Sequence, residues 1–576
     1  MPDRRDLPLA VLILCLTVGC RPAAASPLSY TALMDGSEAA SPVDHRFLAL
    51  PEDAAPPKHL FEGRLELLDE ATGGSVNRLT GGAELGAEAE HLPEFDFEFV
   101  QMEDNLIPVR RGLIITSHPI WNILLEPGRV WQDPDDRGMA RASFPFTLVP
   151  KNGNSSFHGV MSFLFDGARI SRVWYQIAQE TSVSLHWDWW GLLDAAYHPQ
   201  PVGGAEQIRK NFARELDSRL PTRSIDQLAK DYPGVNIAVF NRHVPPEHMT
   251  TYGVVTDRVH YRGGCNTRYG EYPYCEWIRM PSFSTAKSAF VSLALMRLAQ
   301  KQGPQVTGLL VKDYVPEASS SATAASGGDW SAVTFDNILD MATGNFTTSS
   351  FMIDEEGRIF AEFFAVASYA EKIRIAFDWP YHARPGTRWV YRSSDTFIAV
   401  QALQNYLRTV DDPGADLFDF VVKEIYQPVG LGPGVFTTLR TSEDNWQGQP
   451  IGATGLWWIP DDVAKLAVFL NNKGGQIHGE QILHPGLLAG ALQGNPHDRG
   501  VDRPGGKYND AFWADHFTVS EGFGCAFYAP YMAGYSGNIV ALLPNGVTYY
   551  YFSDHRDFNW HAVVREVNKI LPMCQN

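Results

Sequence analysis

Positive charge, cysteine and long apolar segments are all scarce in this chain of 576 residues. Its 47 lysines and arginines are outnumbered by 66 aspartates and glutamates, and the net charge of −19 argues against nucleic acid or an anionic membrane surface as a partner. Beyond the N-terminal leader, no segment is long and apolar enough to span a bilayer. The chain is too long for a single hydrophobic core, so we expect two or more domains.

Metal-binding patterns are missing as well. The 17 histidines are scattered, no His-Glu-x-x-His motif occurs, and no Cys/His spacing is typical of zinc. The sequence therefore predicts neither a metal nor a cofactor.

The first 25 residues are typical of an export signal. Arg4 and Arg5 precede an apolar stretch over residues 7–18, and small residues follow. One route is ordinary cleavage before Ser26. The other uses a segment over residues 17–20 that resembles a bacterial lipoprotein box and would attach a lipid to Cys20. Both routes predict an exported protein, either periplasmic or held at a membrane through its N-terminal lipid alone.

Four cysteines remain after the leader, and export makes disulfide bonds plausible for them. Cys265 and Cys275 flank a loop rich in Gly, Tyr and Pro, so we expect these two to pair. Cys525 and Cys574 would then form the second bond.

The apolar pattern divides the rest of the chain into two parts. Residues 26–203 are predicted to form a β-rich domain of unassigned role, because residues 95–100 alternate with period two and strands are indicated at 112–116 and 160–165. A Pro- and Gly-rich linker separates this domain from residues 204–576.

Helices and strands are mixed in residues 204–576, which indicates an α+β fold. The predicted order is a helix over 206–220, strands at 235–240 and 252–256, a helix from 284, several helices over 335–472, a hairpin turning at 544–546 and a final helix over 560–571.

Ser284 and Lys287 form the most informative motif. They begin an Ala- and Leu-rich predicted helix, where positions three apart share one face. A lysine that loses its proton can be the base that a serine nucleophile needs, and a helix N-terminus adds N–H groups where an oxyanion would form. On its own, the motif could equally be a capped helix start with a solvent-facing lysine.

Two later segments could supply the remaining chemistry. Tyr391 and Ser393 lie in a turn-rich segment, where a tyrosine can relay a proton if cations depress its pKa; the other interpretation of Tyr391 is a core aromatic. The segment Gly534-Tyr535-Ser536-Gly537-Asn538 leads into a strand whose edge could offer a backbone N–H to an oxyanion.

At these residues the chain resembles the serine β-lactamase and penicillin-binding protein superfamily, especially class C β-lactamase-like esterases and 6-aminohexanoate-dimer hydrolases. The family's S-x-x-K motif matches Ser284 and Lys287, and its Y-x-N or Y-x-S motif matches Tyr391 and Ser393. Its third motif, K-T-G or H-x-G, is matched in part by residues 535–537. Flanking segments agree too, so the resemblance covers roughly residues 205–575.

The resemblance implies a fold and a reaction. The fold would be β-lactamase/transpeptidase-like, an antiparallel sheet with flanking helices plus an all-helical part, here with an additional N-terminal β-rich domain. Ser284 would attack a small-molecule ester or amide, and Lys287 and Tyr391 would move its proton. The backbone N–H groups of Ser284 and Asn538 would bind the oxyanion, and water would hydrolyse the acyl-enzyme without a metal.

Two departures from the family bear on the substrate. Tyr535 stands where Lys or His often helps to hold a substrate carboxylate, so that charged contact would be lost. Ser393 in place of Asn fits the esterase and amide-hydrolase branches better than true β-lactamases. The alternatives left open are a D-alanyl-D-alanine carboxypeptidase or β-lactamase and, in another class, a non-catalytic binding or sensing protein that uses the same pocket.

Overall fold

A computed structural model of the chain describes residues 27–36, 41–68, 74–82, 85–319 and 326–574. The predicted leader and Cys20 lie outside these described residues. Within them, no helix combines the length and the apolar character that crossing a membrane requires.

The first large sheet is antiparallel and is built from ten strands of the N-terminal part. Its strands are β1 (Glu62–Leu68), β2 (Gly74–Thr80), β3 (Asp96–Met102), β4 (Asn105–Pro108), β5 (Trp121–Leu125), β6 (Gly128–Gln132), β7 (Ala140–Pro150), β8 (Ser156–Phe165), β9 (Val173–Thr181) and β10 (His186–Pro199). β1 pairs with both β3 and β10, so the sheet closes on itself. An aromatic core that includes Phe99, Phe163 and Trp187 fills its interior. The β-rich N-terminal part is confirmed, while the domain boundary at residue 203 stays a prediction.

The second large sheet has nine strands and belongs to the C-terminal part. Its strands are β11 (Thr222–Ser224), β12 (Met249–Val255), β13 (His260–Gly264), β14 (Val501–Arg503), β15 (Gly506–Asn509), β16 (Phe512–Phe517), β17 (Phe527–Gly534), β18 (Asn538–Leu542) and β19 (Thr548–Ser553). The strand order is β11-β13-β12-β19-β18-β17-β16-β15-β14, and all pairs except β11–β13 are antiparallel. The predicted hairpin is confirmed as β18–β19, with Gly546 at φ 84° in its turn.

Helices cover this second sheet and recur throughout the segment between β13 and β14. The α-helices of five or more residues are α1 (Tyr30–Asp35), α2 (Ala205–Asp217), α3 (Ile225–Asp231), α4 (Leu293–Gln302), α5 (Phe335–Leu339), α6 (Tyr369–Ala376), α7 (Ser393–Val410), α8 (Leu417–Val421), α9 (Pro460–Ala467), α10 (Pro485–Ala491) and α11 (His561–Ile570). In the described part of the chain, four further segments are π-helical: Lys287–Ser292, Glu355–Phe363, Val422–Tyr426 and Val468–Asn472. The α+β fold expected from the sequence is confirmed.

Two predicted strands are wrong. Residues 235–240 contain the short 3₁₀ helix Ile237–Val239, because Asn236 caps the backbone N–H of Ala238 and starts a turn. Residues 112–116 contribute an isolated bridge from Ile114 rather than a strand. In both segments local side-chain capping or turn geometry outweighs the apolar pattern.

One hydrophobic cluster spans the two parts. β8 is buried at all ten positions, because one face lines the interior of the first sheet and the other packs on the C-terminal part. Val160 and Leu164 of β8 therefore belong to the same apolar cluster as Phe290 and Leu293, next to the Ser284 turn. Both predicted disulfides, Cys265–Cys275 and Cys525–Cys574, are present.

Candidate active site

Ser284 lies on a tight turn between a short strand and a helix. Met280–Pro281 pairs with Trp457–Trp458, and the chain then enters the π-helical segment Lys287–Ser292, which continues as α4. Phe283, just before Ser284, has a φ of 42°, a left-handed conformation that is strained for a residue with a side chain. The turn holds the half-buried Ser284 at the wall of a large cavity.

Lys287 is buried against the Ser284 hydroxyl. Its Nζ lies 2.7 Å from Ser284 Oγ, 3.0 Å from Ser393 Oγ and 3.3 Å from the carbonyl oxygen of Ala453. Burial lowers the pKa of the Lys287 amine to about 8, although the charge of Glu355 opposes this. About one tenth of such amines are neutral at pH 7, so Lys287 can accept a proton from Ser284.

Tyr391 completes the group around the nucleophile. The Lys287 Nζ lies 4.9 Å from the centre of its ring, and Tyr391 lines the same cavity as Ser284. Burial raises the pKa of Tyr391 far above its usual value, and the charge of Glu355 raises it further. The condition stated for a proton relay, a pKa depressed by cations, is not met, because desolvation dominates. Tyr391 is therefore a protonated hydroxyl, suited to donating or relaying a proton.

Glu355 also belongs to the site, although no sequence motif indicated it. Its carboxylate accepts hydrogen bonds from Ser393 Oγ at 2.5 Å and from the Ser393 backbone N–H at 2.7 Å. Ser393 is the first residue of α7, so Glu355 caps the N-terminus of that helix. The Ser393 hydroxyl also contacts Lys287 and so connects Glu355 to the lysine. No motif spacing relates residue 355 to residue 393, and a π-helical segment lacks the usual helical period.

Of the third motif and the residue after it, the structure brings Tyr535 to the cavity but not Ser536, Gly537 or Asn538. Ser536 Oγ donates to Asn538 Oδ1 at 3.0 Å, and Asn538 Nδ2 donates to the Pro281 carbonyl oxygen at 2.7 Å, so both side chains are buried. Gly537 is buried in the same turn, and Asn538 is paired with Gly534 in the β17–β18 ladder. The assignment of Asn538 as an oxyanion donor is therefore corrected.

The end of β17 lies at the cavity instead. Ala533, Gly534 and Tyr535 line it, two residues earlier in the chain than the motif at 535–537. Among the described residues, β16 pairs with β17 no further than Tyr531, which leaves the following peptide groups of β17 at an edge. A free strand edge beside Ser284 can offer N–H groups to a developing oxyanion.

Tyr535 has no cationic group of its own, but the Arg556 guanidinium lies on its ring. The Arg556 guanidinium lies 4.5 Å from the centre of the Tyr535 ring and 3.2 Å from the Glu356 carboxylate, and all three residues line the cavity. The expected loss of positive charge from this wall is therefore corrected. Arg556 follows β19, outside any motif, so the sequence offered no signal for it.

The cavity has a volume of about 920 Å³ and a mostly apolar lining. Phe351, Phe360 and Phe558 are 51%, 47% and 42% exposed and form an apolar rim. Residues 152–155 and 183–184 of the N-terminal part also line it, a contribution that the sequence analysis did not foresee.

One group among the described residues has the composition of a metal site: His186, His248 and Asp554. Asp554 Oδ1 lies 2.6 Å from His248 Nδ1, and Oδ2 lies 3.2 Å from His186 Nε2. His186 Nε2 is also 2.6 Å from the Ser182 carbonyl oxygen, which requires a proton on that nitrogen. The hydrogen bonds account for this group without an ion.

No family model matches the chain, and no curated protein matches it. Solved structures do. A protein described as a 6-aminohexanoate-dimer hydrolase from Bacillus anthracis is 16% identical, over 61% of this chain and 87% of that chain, with a TM-score of 0.43. EstCE1, a hydrolase with promiscuous acyltransferase activity, is 16% identical, over 62% and 98%, with a TM-score of 0.40. A class C β-lactamase mutant is 14% identical, over 64% and 98%, with a TM-score of 0.38. These are classes of protein that the motif resemblance implied.

Proposed function

We propose that this protein is a serine hydrolase that cleaves an ester or amide bond through an acyl-enzyme on Ser284. The observation that carries the proposal is the 2.7 Å contact between Ser284 Oγ and a buried lysine whose pKa is about 8. A solvent-facing lysine after a helix cap would keep a pKa near 10.5 and would be protonated almost completely at pH 7.

At each step of the reaction, a residue of the site can accept or donate the proton that moves. Lys287 accepts the Ser284 proton as Oγ attacks the carbonyl carbon, and the protonated leaving group departs when the proton passes to it from Lys287 through Tyr391. Water then attacks the acyl carbonyl carbon and gives one proton to the same pair. The pair returns that proton to Ser284 Oγ as the acyl–Oγ bond breaks, which releases the acid and restores Ser284. Neither step needs an electron acceptor or donor.

Oxyanion stabilisation is assigned to two elements. The backbone N–H of Ser284 lies at the helix start, and the edge of β17 at residues 533–535 lies along the same cavity. Both elements are fixed before substrate binds, as electrostatic stabilisation requires.

The lining favours a substrate with a large apolar group next to the scissile bond. Each buried methylene is worth about 0.8 kcal/mol, or about fourfold in kcat/KM, until the cavity is full. We therefore expect p-nitrophenyl esters to react faster as their acyl chain lengthens from acetyl to octanoyl. A preference for acetyl would contradict the apolar assignment.

A second candidate is hydrolysis of a carboxylate-bearing amide, as in a D-alanyl-D-alanine carboxypeptidase or β-lactamase. Arg556 favours it, because a guanidinium at the cavity wall can bind a substrate carboxylate. Labelling of the protein by fluorescent penicillin would support this branch over a neutral ester.

The central test is labelling by a fluorophosphonate probe. The wild type should be labelled and Ser284→Ala should not, whereas Ser288→Ala, a change one turn further along the same helix, should be labelled like the wild type. If the wild type is neither labelled nor able to hydrolyse any p-nitrophenyl ester, the enzyme assignment fails and a non-catalytic binding protein becomes the better reading.

Export remains part of the proposal, on the strength of the leader sequence alone. Mass spectrometry of protein made in a bacterial host should find an N-terminus at Ser26 or a lipid on Cys20. A mature chain that still begins at residue 1 would contradict export.

A further inference from the structure

The turn between β7 and β8 projects from the N-terminal sheet into the wall of the active-site cavity. Residues 151–155 form this turn, and residues 152–155 line the cavity together with Ser284. Asn152 Nδ2 donates to the carbonyl oxygens of Phe364 at 2.8 Å and Val366 at 3.0 Å, which ties the turn to another part of the same wall.

Asn154 is buried at the centre of this contact. Its Oδ1 accepts hydrogen bonds from four donors of the C-terminal part, and its Nδ2 donates a fifth to the Leu456 carbonyl oxygen at 3.1 Å. The four donors are the Phe283 N–H at 2.7 Å, Ser282 Oγ at 3.0 Å, Thr454 Oγ1 at 2.8 Å and the Gly455 N–H at 3.1 Å. One amide thus joins the nucleophile turn to the segment whose Ala453 carbonyl contacts Lys287.

The shortest hydrogen bond to Asn154 comes from the N–H of Phe283, the residue with the strained backbone. Phe283 has a positive φ and directly precedes Ser284, so its N–H must be fixed from outside for the turn to keep its shape. The N-terminal sheet makes a second contact four residues before Phe283, at Arg279. Glu126 Oε1 accepts a hydrogen bond from Arg279 Nε at 2.7 Å in a fully buried ion pair.

We propose that the N-terminal sheet is part of the catalytic unit, with Asn154 as the positioning residue that holds Ser284 in its reactive geometry. The sheet contributes a substrate-facing wall and an external support for a strained turn, rather than a separate activity. This inference rests on the proposed hydrolase function for its kinetic test, but its structural test does not depend on activity.

The experiment compares full-length Asn154→Ala with full-length Gln176→Ala. Gln176 is a matched control, because it is a buried amide of the same sheet that bonds both backbone groups of Val43, away from the cavity. Three quantities are measured for each variant: the fluorophosphonate labelling rate, the melting temperature, and hydrogen–deuterium exchange of peptides that contain Phe283.

Asn154→Ala should label about 100-fold more slowly than the wild type, since small displacements of a nucleophile cost that much, and its Phe283 peptides should exchange faster. Gln176→Ala should lose melting temperature while keeping both the labelling rate and the Phe283 exchange. Asn154→Asp keeps the acceptor oxygen, so its labelling rate should lie between those of Asn154→Ala and the wild type. It replaces Asn154→Ala in the comparison if the alanine variant does not fold.

Equal labelling rates in Asn154→Ala and Gln176→Ala would overturn the positioning role. Unchanged Phe283 exchange in Asn154→Ala would overturn the structural support, whatever the activity. If the wild type itself is not labelled, the proposed function fails, and faster Phe283 exchange in Asn154→Ala would still establish the support.

Discussion

Replacing Glu355 by Gln should lower the pKa of Lys287 and shift the pH dependence of acylation to lower pH. Two hydrogen bonds in series, of 3.0 and 2.5 Å, bring the Glu355 carboxylate to no more than about 5.5 Å from the Lys287 Nζ. At that distance two unit charges attract by about 0.8 kcal/mol at a dielectric constant of 80 and about 3 kcal/mol at 20. These energies correspond to about 0.5 to 2 pKa units, and we take about 1 unit as the expected shift.

The sign follows from which form of Lys287 reacts. The neutral amine is the base, so the labelling rate should rise with pH and level off above the pKa of about 8 in the wild type. Glu355 stabilises the protonated amine and so holds this pKa up. Without its charge the midpoint should fall to about 7, and the neutral fraction at pH 7 should rise from about one tenth to about one half.

The assay is the fluorophosphonate labelling rate between pH 5.5 and 10, which reports acylation without a deacylation step. Glu362→Gln is the control, because Glu362 lies in the same π-helical segment and pairs with Arg358 at 3.1 Å in a solvent-exposed ion pair. Its midpoint should match that of the wild type. A midpoint in Glu355→Gln that is unchanged or higher would refute the electrostatic argument, and a flat wild-type profile would refute Lys287 as the base.

Three further predictions concern stability and substrate choice. Removing the Cys525–Cys574 bond in the double serine variant opens a 49-residue loop and should lower the free energy of unfolding by about 4 kcal/mol in a denaturant titration; a loss below about 1 kcal/mol would contradict the loop-entropy account. Arg279→Met leaves the buried Glu126 carboxylate without its closest partner and should cost about 3 to 5 kcal/mol by the same titration, whereas a near-neutral result would show that the ion pair is not needed. Arg556→Gln should raise KM about 10-fold for an ester that carries a carboxylate and leave KM for its neutral methyl ester unchanged; equal effects on both esters would exclude anion binding by Arg556.

The sequence predicted the parts of the site that depend on short spacing. Ser284 and Lys287 are three positions apart at the turn that begins one helix, so a local rule was enough to bring them together. Tyr391 and Ser393 were found because their turn-rich segment resembles a family motif. The α+β order was predictable for a similar reason, since helices and strands of this length carry a clear apolar period.

The rest of the site depends on contacts that no local rule describes. Glu355 contacts Ser393 from a π-helical segment, and Asn154 contacts Phe283 from the other sheet, at sequence separations that carry no periodic signal. The error at Asn538 arose because a Gly-rich turn permits several registers, and only the pairing of Gly534 with Asn538 settles which residues meet the cavity. The pKa of Tyr391 could not be foreseen, because burial is a property of the whole fold.

The apolar cluster that β8 shares with the residues around α4 has a thermodynamic consequence. Val160 and Leu164 pack in the same cluster as Phe290 and Leu293, so neither part can melt without exposing apolar surface of the other. Heat should therefore unfold the two sheets as one cooperative unit, with the calorimetric and van't Hoff enthalpies equal in a single transition. A chain of this length that melts in one step would lose its active site and its N-terminal sheet at the same temperature.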